Sequence, residues 1–320
     1  MRAAQLKQSP IDTPNYQLKT VLIVGGSGFI GQALVKQLVE LSFKVTIYTR
    51  NLAKTKSLFL SSYLDEKVKV VDQLDIDKSY NIVINLAGKP LDEHRWNDKV
   101  KQQIIASRVQ ATTMVTEFIE QTSHKPELLI NGSAIGFYGP RKNQKLTEQD
   151  SGRSSFSHQL CSEWENKALK AEPLGVRVCL LRTGIVLGDN GGALSAMLLP
   201  FKLYLGGPLG HGNQWMSWIH IDDLVSMIIW MIDNESIQGP VNGVAPSPVS
   251  NQYFSKTLAS VLRRPAKLRM PALLAKLLFG EMADELLLKG QRVVPQVALD
   301  NGFKFEFATL GHALDNLLTQ

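Results

Sequence analysis

Gly25-Gly26-Ser27-Gly28-Phe29-Ile30-Gly31 follows the apolar run Val21-Leu22-Ile23-Val24 and opens an amphipathic stretch from Gln32 to Leu41. A strand, a tight glycine turn and a helix in that order present backbone N–H groups to a phosphate. Gly26, Gly28 and Gly31 satisfy a G-x-G-x-x-G register, and Gly25, Gly28 and Gly31 a G-x-x-G-x-x-G register. A side chain at Gly28 would block the approach of a pyrophosphate, and one at Gly31 would push the helix off its strand. Ser27, Phe29 and Ile30 complete the turn. Nineteen residues beyond Gly31, at the end of Lys44-Val45-Thr46-Ile47-Tyr48-Thr49, stands Arg50, where an acid would hold a ribose 2′-OH. A guanidinium there grips a 2′-phosphate through two charge-assisted hydrogen bonds, so the expected cofactor is NADP(H).

These residues need a sheet to hold them. After the turn, apolar runs at Val68–Val71, Ile82–Leu86, Leu128–Asn131 and Val178–Leu181 alternate with helical patterns over about 97–121 and 156–171. Such alternation predicts an α/β fold, a Rossmann doubly wound parallel sheet. Ligands of such sheets lie at the carboxyl ends of the strands, where Gly25, Arg50, Ala87, Ser133 and Thr183 fall. Beyond Gly184 the texture changes to loops and glycines, followed by an apolar helix at Ala272 to Phe279. The expected organisation is a flexible tail over 1–18, an NADP-binding domain from 19–183 and 218–244, and a smaller C-terminal substrate-side domain from 184–217 and 245–320.

Composition bounds the alternatives. The chain has 320 residues, 44% hydrophobic and 20% charged, with a net charge of +6 and no run of five basic residues, so a nucleic-acid partner is not expected. Its two cysteines, Cys161 and Cys179, offer neither a disulfide framework nor metal-ligand spacing. The polar N-terminus lacks a signal-like apolar core, and the apolar stretch Leu224 to Ile232 is too short to span a bilayer. A cytoplasmic protein with no membrane partner is expected, and a homodimer fits this reading.

Several motifs together resemble an extended short-chain dehydrogenase/reductase: the glycine turn, Asn85-Leu86-Ala87-Gly88, Ser133-Ala134-Ile135-Gly136-Phe137-Tyr138-Gly139, Leu181-Arg182-Thr183-Gly184-Ile185-Val186-Leu187-Gly188 and Trp218-Ile219-His220-Ile221-Asp222-Asp223-Leu224. Arg95-Trp96, Ser107-Arg108-Val109, Trp164-Glu165, the segment 239–246 and Gly290-Gln291-Arg292-Val293-Val294-Pro295 narrow this to the atypical "epimerase family" branch with its own C-terminal domain of unknown function. The resemblance implies that Thr49 and Arg50 hold the adenosine phosphate, that Leu86, Ala87 and Gly88 line the ribose and pyrophosphate, and that Val186 borders the nicotinamide. On the helix after Gly88, Gln103 and Ser107 lie one turn apart with Arg108 adjacent, within reach of the cofactor.

The chemistry departs from the resemblance at one place. Hydride-transferring members carry a Tyr-x-x-x-Lys pair on the helix after the fifth strand, where the lysine lowers the tyrosine pKa. Aligning Glu165 with the glutamate that ends that signature puts Ser157 at the tyrosine position and Cys161 at the lysine position. Tyr138-Gly139-Pro140-Arg141-Lys142 repeats the spacing, but Gly139-Pro140 makes it a loop. Ser133 and Tyr138 are the surviving candidate catalytic hydroxyls, with His158 more simply an exposed helix residue. Two functions follow: an NADP(H)-dependent epimerase or oxidoreductase acting on a small, sugar-nucleotide-like substrate, or a non-catalytic NADP(H)-sensing protein.

Overall fold

The computed structural model describes residues 19–59, 67–91, 95–189 and 191–319, so the tail expected over 1–18 lies outside the described residues. Seven strands form one wholly parallel sheet: β1 (Thr20–Val24), β2 (Lys44–Tyr48), β3 (Val68–Val71), β4 (Ile82–Asn85), β5 (Leu128–Ala134), β6 (Arg177–Thr183) and β7 (Gly239–Gly243). Their order is β7-β6-β5-β4-β1-β2-β3. The chain winds outward from β1 to β3, returns to β4 on the other side of β1, and winds outward again. The reversal opens a crevice at the carboxyl ends of β1 and β4, the place where such sheets take ligands.

Burial on both faces explains the unbroken apolar strands, since Val21, Leu22 and Ile23 are all fully buried. Helices α1 (Phe29–Glu40) and α2 (Leu52–Leu58) follow β1 and β2, and α3 (Asp98–Gln121) and α4 (Phe156–Ala168) follow β4 and β5. Beyond β6 come α5 (Gly192–Lys202), α6 (Ile221–Asp233), α7 (Asn251–Val261), α8 (Ala272–Phe279) and α9 (Leu310–Leu318). Leu34 and Leu38 of α1 pack with Leu224 and Ile228 of α6 over one face, while Val115, Phe118 and Ile119 of α3 cover the other. The boundaries have local causes. Asn97 caps α3 by accepting from the Val100 N–H, and Ser155 caps α4 by accepting from the His158 N–H. The pattern read to residue 171 instead breaks after Ala168 into a 3₁₀ turn containing Pro173.

The region expected to be loops beyond Gly184 holds more regular structure than its sequence signals. Strand Ile185–Gly188 pairs in parallel with Trp218–His220, and α5 starts at Gly192 and carries Pro200 inside it. Glycine at the start and proline within disguise that helix. With α7 and α9 it builds a second core around Leu194, Trp218, Phe254, Leu258 and Leu314. The buried Asp223 carboxylate on α6 ties this core down, accepting from the N–H groups of Glu306 and Phe307 at 2.8 and 2.9 Å. Among the described residues, no helix is long and apolar enough to cross a membrane.

Candidate functional site

The glycine turn leaves β1 with Gly25 at φ +90, and Gly28 N–H closes it on the Gly25 carbonyl at 3.0 Å. A methyl group on Gly31 would lie 2.3 Å from that same carbonyl oxygen, so Gly31 lets α1 start directly against the turn. A methyl on Gly28 would meet only the Gly25 oxygen, at 3.3 Å, and otherwise points into open space. No side chain caps α1 and no acid stands in its first turn. The N–H groups of Phe29, Ile30 and Gly31 therefore have no acceptor within the helix, and the positive end of its dipole is uncompensated. Ser27 keeps its carbonyl occupied by the Gln32 side chain at 2.9 Å, and Ile30 packs into the core. Phe29 leaves the turn toward the second region: methyl groups built on Gly188, Gly191 or Gly192 would come within 2.5 to 2.8 Å of its ring.

At the carboxyl end of β2, Thr49 and Arg50 divide the work. Thr49 is buried, and its hydroxyl bonds that of Thr55 at 2.8 Å while accepting from the Asn51 N–H at 3.2 Å, which shapes the turn into α2. Arg50 is exposed and has no hydrogen bond or ion pair among the described residues. Thr49 thus acts through the backbone it holds, and Arg50 offers its whole guanidinium.

Across the crevice, the Leu86 N–H donates to the Val24 carbonyl at 2.8 Å, which lays Leu86-Ala87-Gly88 against Gly25. Arg108 lies against Gly88. It is buried, its Nη1 donates to the Lys89 carbonyl at 3.0 Å, and its guanidinium sits 5.2 Å from the Trp164 ring centroid. Burial pulls its pKa down to about 10, and no carboxylate pairs with it among the described residues. A buried cation at the rim of a phosphate crevice without an acid partner fits an anionic ligand. Ser107 accepts from the Lys89 N–H at 3.1 Å, and Oε1 of the exposed Gln103 accepts from Lys89 Nζ at 2.8 Å, so both bond Lys89, the residue after Gly88. Val186 is half-buried on the strand paired with Trp218–His220 and packs on the main core.

Both candidate catalytic hydroxyls are hydrogen-bonded within the protein. Ser133 is 3% exposed and donates to Glu165 Oε1 at 2.6 Å. Glu165 is clasped by Arg182 through Nε and Nη2, each at 2.8 Å, and Arg182 Nη1 donates to the Tyr138 hydroxyl at 3.1 Å. Tyr138, 0% exposed, donates onward to Asn242 Oδ1 at 2.7 Å, and burial pushes its pKa up to about 12. Phe137 covers the arginine, 3.5 Å from ring centroid to guanidinium. This chain of bonds fastens β5, α4, β6 and β7 to one another, and both hydroxyls belong to it.

At the position matched to the lost tyrosine, the structure places a group that sequence reasoning missed. Ser157 donates its hydroxyl to Glu285 Oε2 at 2.9 Å, and Glu285 belongs to the π-helical turn Ala283–Leu288 of the C-terminal region. Such turns occur mostly as single insertions at functional sites. No local pattern marks Glu285, because its meeting with Ser157 spans 128 residues. Cys161 is buried, its thiol pushed up to about 12 by burial, and it donates to the Ala134 carbonyl. His158 bonds the Phe137 carbonyl at 2.6 Å, a structural role. His220 caps α6 and stacks on Phe307, 3.8 Å between centroids. Trp215 donates to Asn143 at 3.0 Å beneath the Arg292 guanidinium.

Comparison with known proteins agrees with this geometry. Residues 21–242 match the NAD dependent epimerase/dehydratase family, and residues 270–317 match a domain of unknown function, DUF1731. The chain is 38% identical over 302 residues to the epimerase family protein YfhF of Bacillus subtilis, covering 93% of this chain and 97% of that one. It is 37% identical over 299 residues to the chloroplastic SDR39U1 homolog of Arabidopsis thaliana, covering 92% and 85%. The crystal structure of human epimerase family protein SDR39U1 with NADPH superposes with a TM-score of 0.83 at 30% identity, over 94% of this chain and 99% of that one. The UDP-glucuronic acid 4-epimerase of Bacillus cereus with NAD shares the fold at a TM-score of 0.72 and 16% identity, over 93% and 95%. Carrying the glycine turn and the crevice beside it, this chain belongs to the NAD dependent epimerase/dehydratase family.

Proposed function

We propose that the protein binds NADP(H) and is an epimerase- or oxidoreductase-like protein of the extended short-chain dehydrogenase/reductase type, acting on a small, sugar-nucleotide-like substrate. The observation that carries the cofactor is Arg50, exposed at the end of β2 and without a hydrogen bond or ion pair among the described residues. The α1 N-terminus fits a pyrophosphate, and Arg108 adds a buried cation at its rim. SDR39U1, the relative crystallised with NADPH, supports the same reading. When bound, the nicotinamide supplies or accepts a hydride. Ser133 and Tyr138 hold the site's wall, and the proton is left to Glu285, which Ser157 holds where the tyrosine would stand. As the carboxylate it takes the hydroxyl proton of an alcohol being oxidised and returns it when the carbonyl is reduced again, so an epimerisation needs no outside acid.

Isothermal titration tests the cofactor. A hydrogen bond to a charged group contributes about 1.5 to 3 kcal/mol, so NADPH is expected to bind about tenfold to a hundredfold tighter than NADH. Arg50→Ala should erase that preference; equal affinities in the unaltered protein would overturn the assignment. A sensor of NADP(H) without turnover is the second reading, favoured by the closed Ser133–Glu165–Arg182–Tyr138 chain. Tight NADPH binding with no turnover across sugar-nucleotide and simple carbonyl substrates would select it.

A further inference from the structure

The large apolar side chains left at the surface are concentrated on one face of the second region. Leu199, Leu203 and Leu205 at the end of α5 are 62%, 58% and 59% exposed, and Leu273, Leu277 and Leu278 on α8 are 80%, 67% and 52% exposed. The two segments adjoin. Leu268 N–H donates to the Gly206 carbonyl at 3.3 Å, Met270 N–H to the Pro208 carbonyl at 3.0 Å, and the Arg264 guanidinium lies 4.6 Å from the Tyr204 ring centroid. Only Ala275 of α8 is buried. A helix apolar around its whole circumference belongs inside a protein or against another apolar phase, and an apolar face of this extent marks an interaction surface.

The charge on the same face selects the partner. From Ser236 to Gly280 the chain contains six Lys and Arg and no Asp or Glu, and from Asn190 to Ile221 it contains Lys202 and no acid. Lys276 is paired with Asp284 at 3.0 Å, and Arg269 bonds the carbonyls of Gly210 and His211. Arg263, Arg264 and Lys267 are exposed and have no acid partner among the described residues. A second copy turned onto this face by a two-fold axis would bring its own arginines against these, and the carboxylate at the edge of the patch, Asp284, is already paired with Lys276. An anionic bilayer satisfies both features, because the acyl region receives leucines while the headgroups receive cations.

We propose that the face formed by the end of α5, the segment 263–270 and α8 docks onto an anionic lipid surface without crossing it. This departs from the expectation of no membrane partner. Flotation of the full chain with vesicles of equimolar phosphatidylglycerol and phosphatidylcholine tests it. The protein is expected to float with them, and to bind vesicles of phosphatidylcholine alone about tenfold more weakly. High salt should weaken the anionic association as well. The double variant Leu273→Ser, Leu277→Ser alters only exposed side chains, so its thermal melt and NADPH titration should match the unaltered protein while vesicle binding falls about tenfold or more. No association with the anionic vesicles overturns the proposal, as does association that the double variant leaves unchanged. A dimer in sedimentation velocity that the double variant splits, without vesicle binding, would make this face a contact between copies and overturn it equally.

Discussion

The glycine turn after β1 and the ionic chain behind β5 both sit at the carboxyl ends of the same sheet, and they treat polar groups in opposite ways. In the turn, the first N–H groups of α1 have no cap, Arg50 has no partner, and Arg108 is buried without an acid. In the ionic chain, Ser133, Glu165, Arg182, Tyr138 and Asn242 answer one another in sequence. Positive groups left without a counter-charge around one crevice are the ones an anionic ligand answers. Where the groups are mutually satisfied, they hold strands and helix together. Polar residue type alone does not separate a binding site from a brace; the state of its partners does.

That contrast is breakable by substitution. Glu165→Ala leaves Arg182 buried without its carboxylate, and removing one partner of such a pair costs about 3 to 5 kcal/mol. Urea unfolding should show that loss, with NADPH affinity kept in whatever remains folded; a change under about 1 kcal/mol would mean the chain is not a brace. Gly28→Val should do the reverse, weakening NADPH binding about a hundredfold or more by filling the anion's approach while leaving the unfolding curve in place. Normal binding by that variant would remove the turn as the phosphate site.

The thiols around the brace give a pH signature. Unfolded cysteines ionise near pH 9, whereas Cys161 is held up to about 12 and Cys179 up to about 11. Above pH 9 the unfolded chain releases protons that the native one retains, so stability falls with rising pH, by about 1.4 kcal/mol per thiol per pH unit until the native value is passed. Urea midpoints between pH 8 and about 10 should show that slope, and Cys161→Ala should about halve it, leaving the part carried by Cys179. The smallest expected effect concerns Glu285. In the role proposed for Glu285, its carboxylate favours the positively charged oxidised ring, so Glu285→Gln should lower the affinity for NADP⁺ relative to NADPH by about threefold to tenfold. Asp284→Asn, one residue away, should not. An unchanged ratio in the Gln variant would leave Glu285 as only a partner of the α4 N-terminus.

Much of this was legible in the residues because it is local. The sheet strands are continuous apolar runs, and the turn and Arg50 declare themselves by type and spacing. α5 was hidden by Gly192 and Pro200, residues that disfavour a helix in isolation but are held here by packing on Trp218 and Phe254. Ser133 and Tyr138 have residue types that suit proton transfer, and only the burial supplied by Glu165, Arg182 and Asn242 shows their use. The Ser157–Glu285 meeting could not be read at all, since nothing in either segment points to the other.

The order of the sheet also sets how this chain emerges from the ribosome. β6 ends at Thr183, but β7, which completes its hydrogen bonds, begins only at Gly239, after the whole excursion through α5 and α6. At about 5 to 20 residues per second, that interval amounts to some seconds of synthesis. Throughout it the edge of Val178-Cys179-Leu180-Leu181 is an unpaired apolar strand, a template for pairing with other nascent chains. For those seconds the strand edge and the sheet face that α6 later covers are exposed together, so this interval of synthesis is one of high aggregation risk.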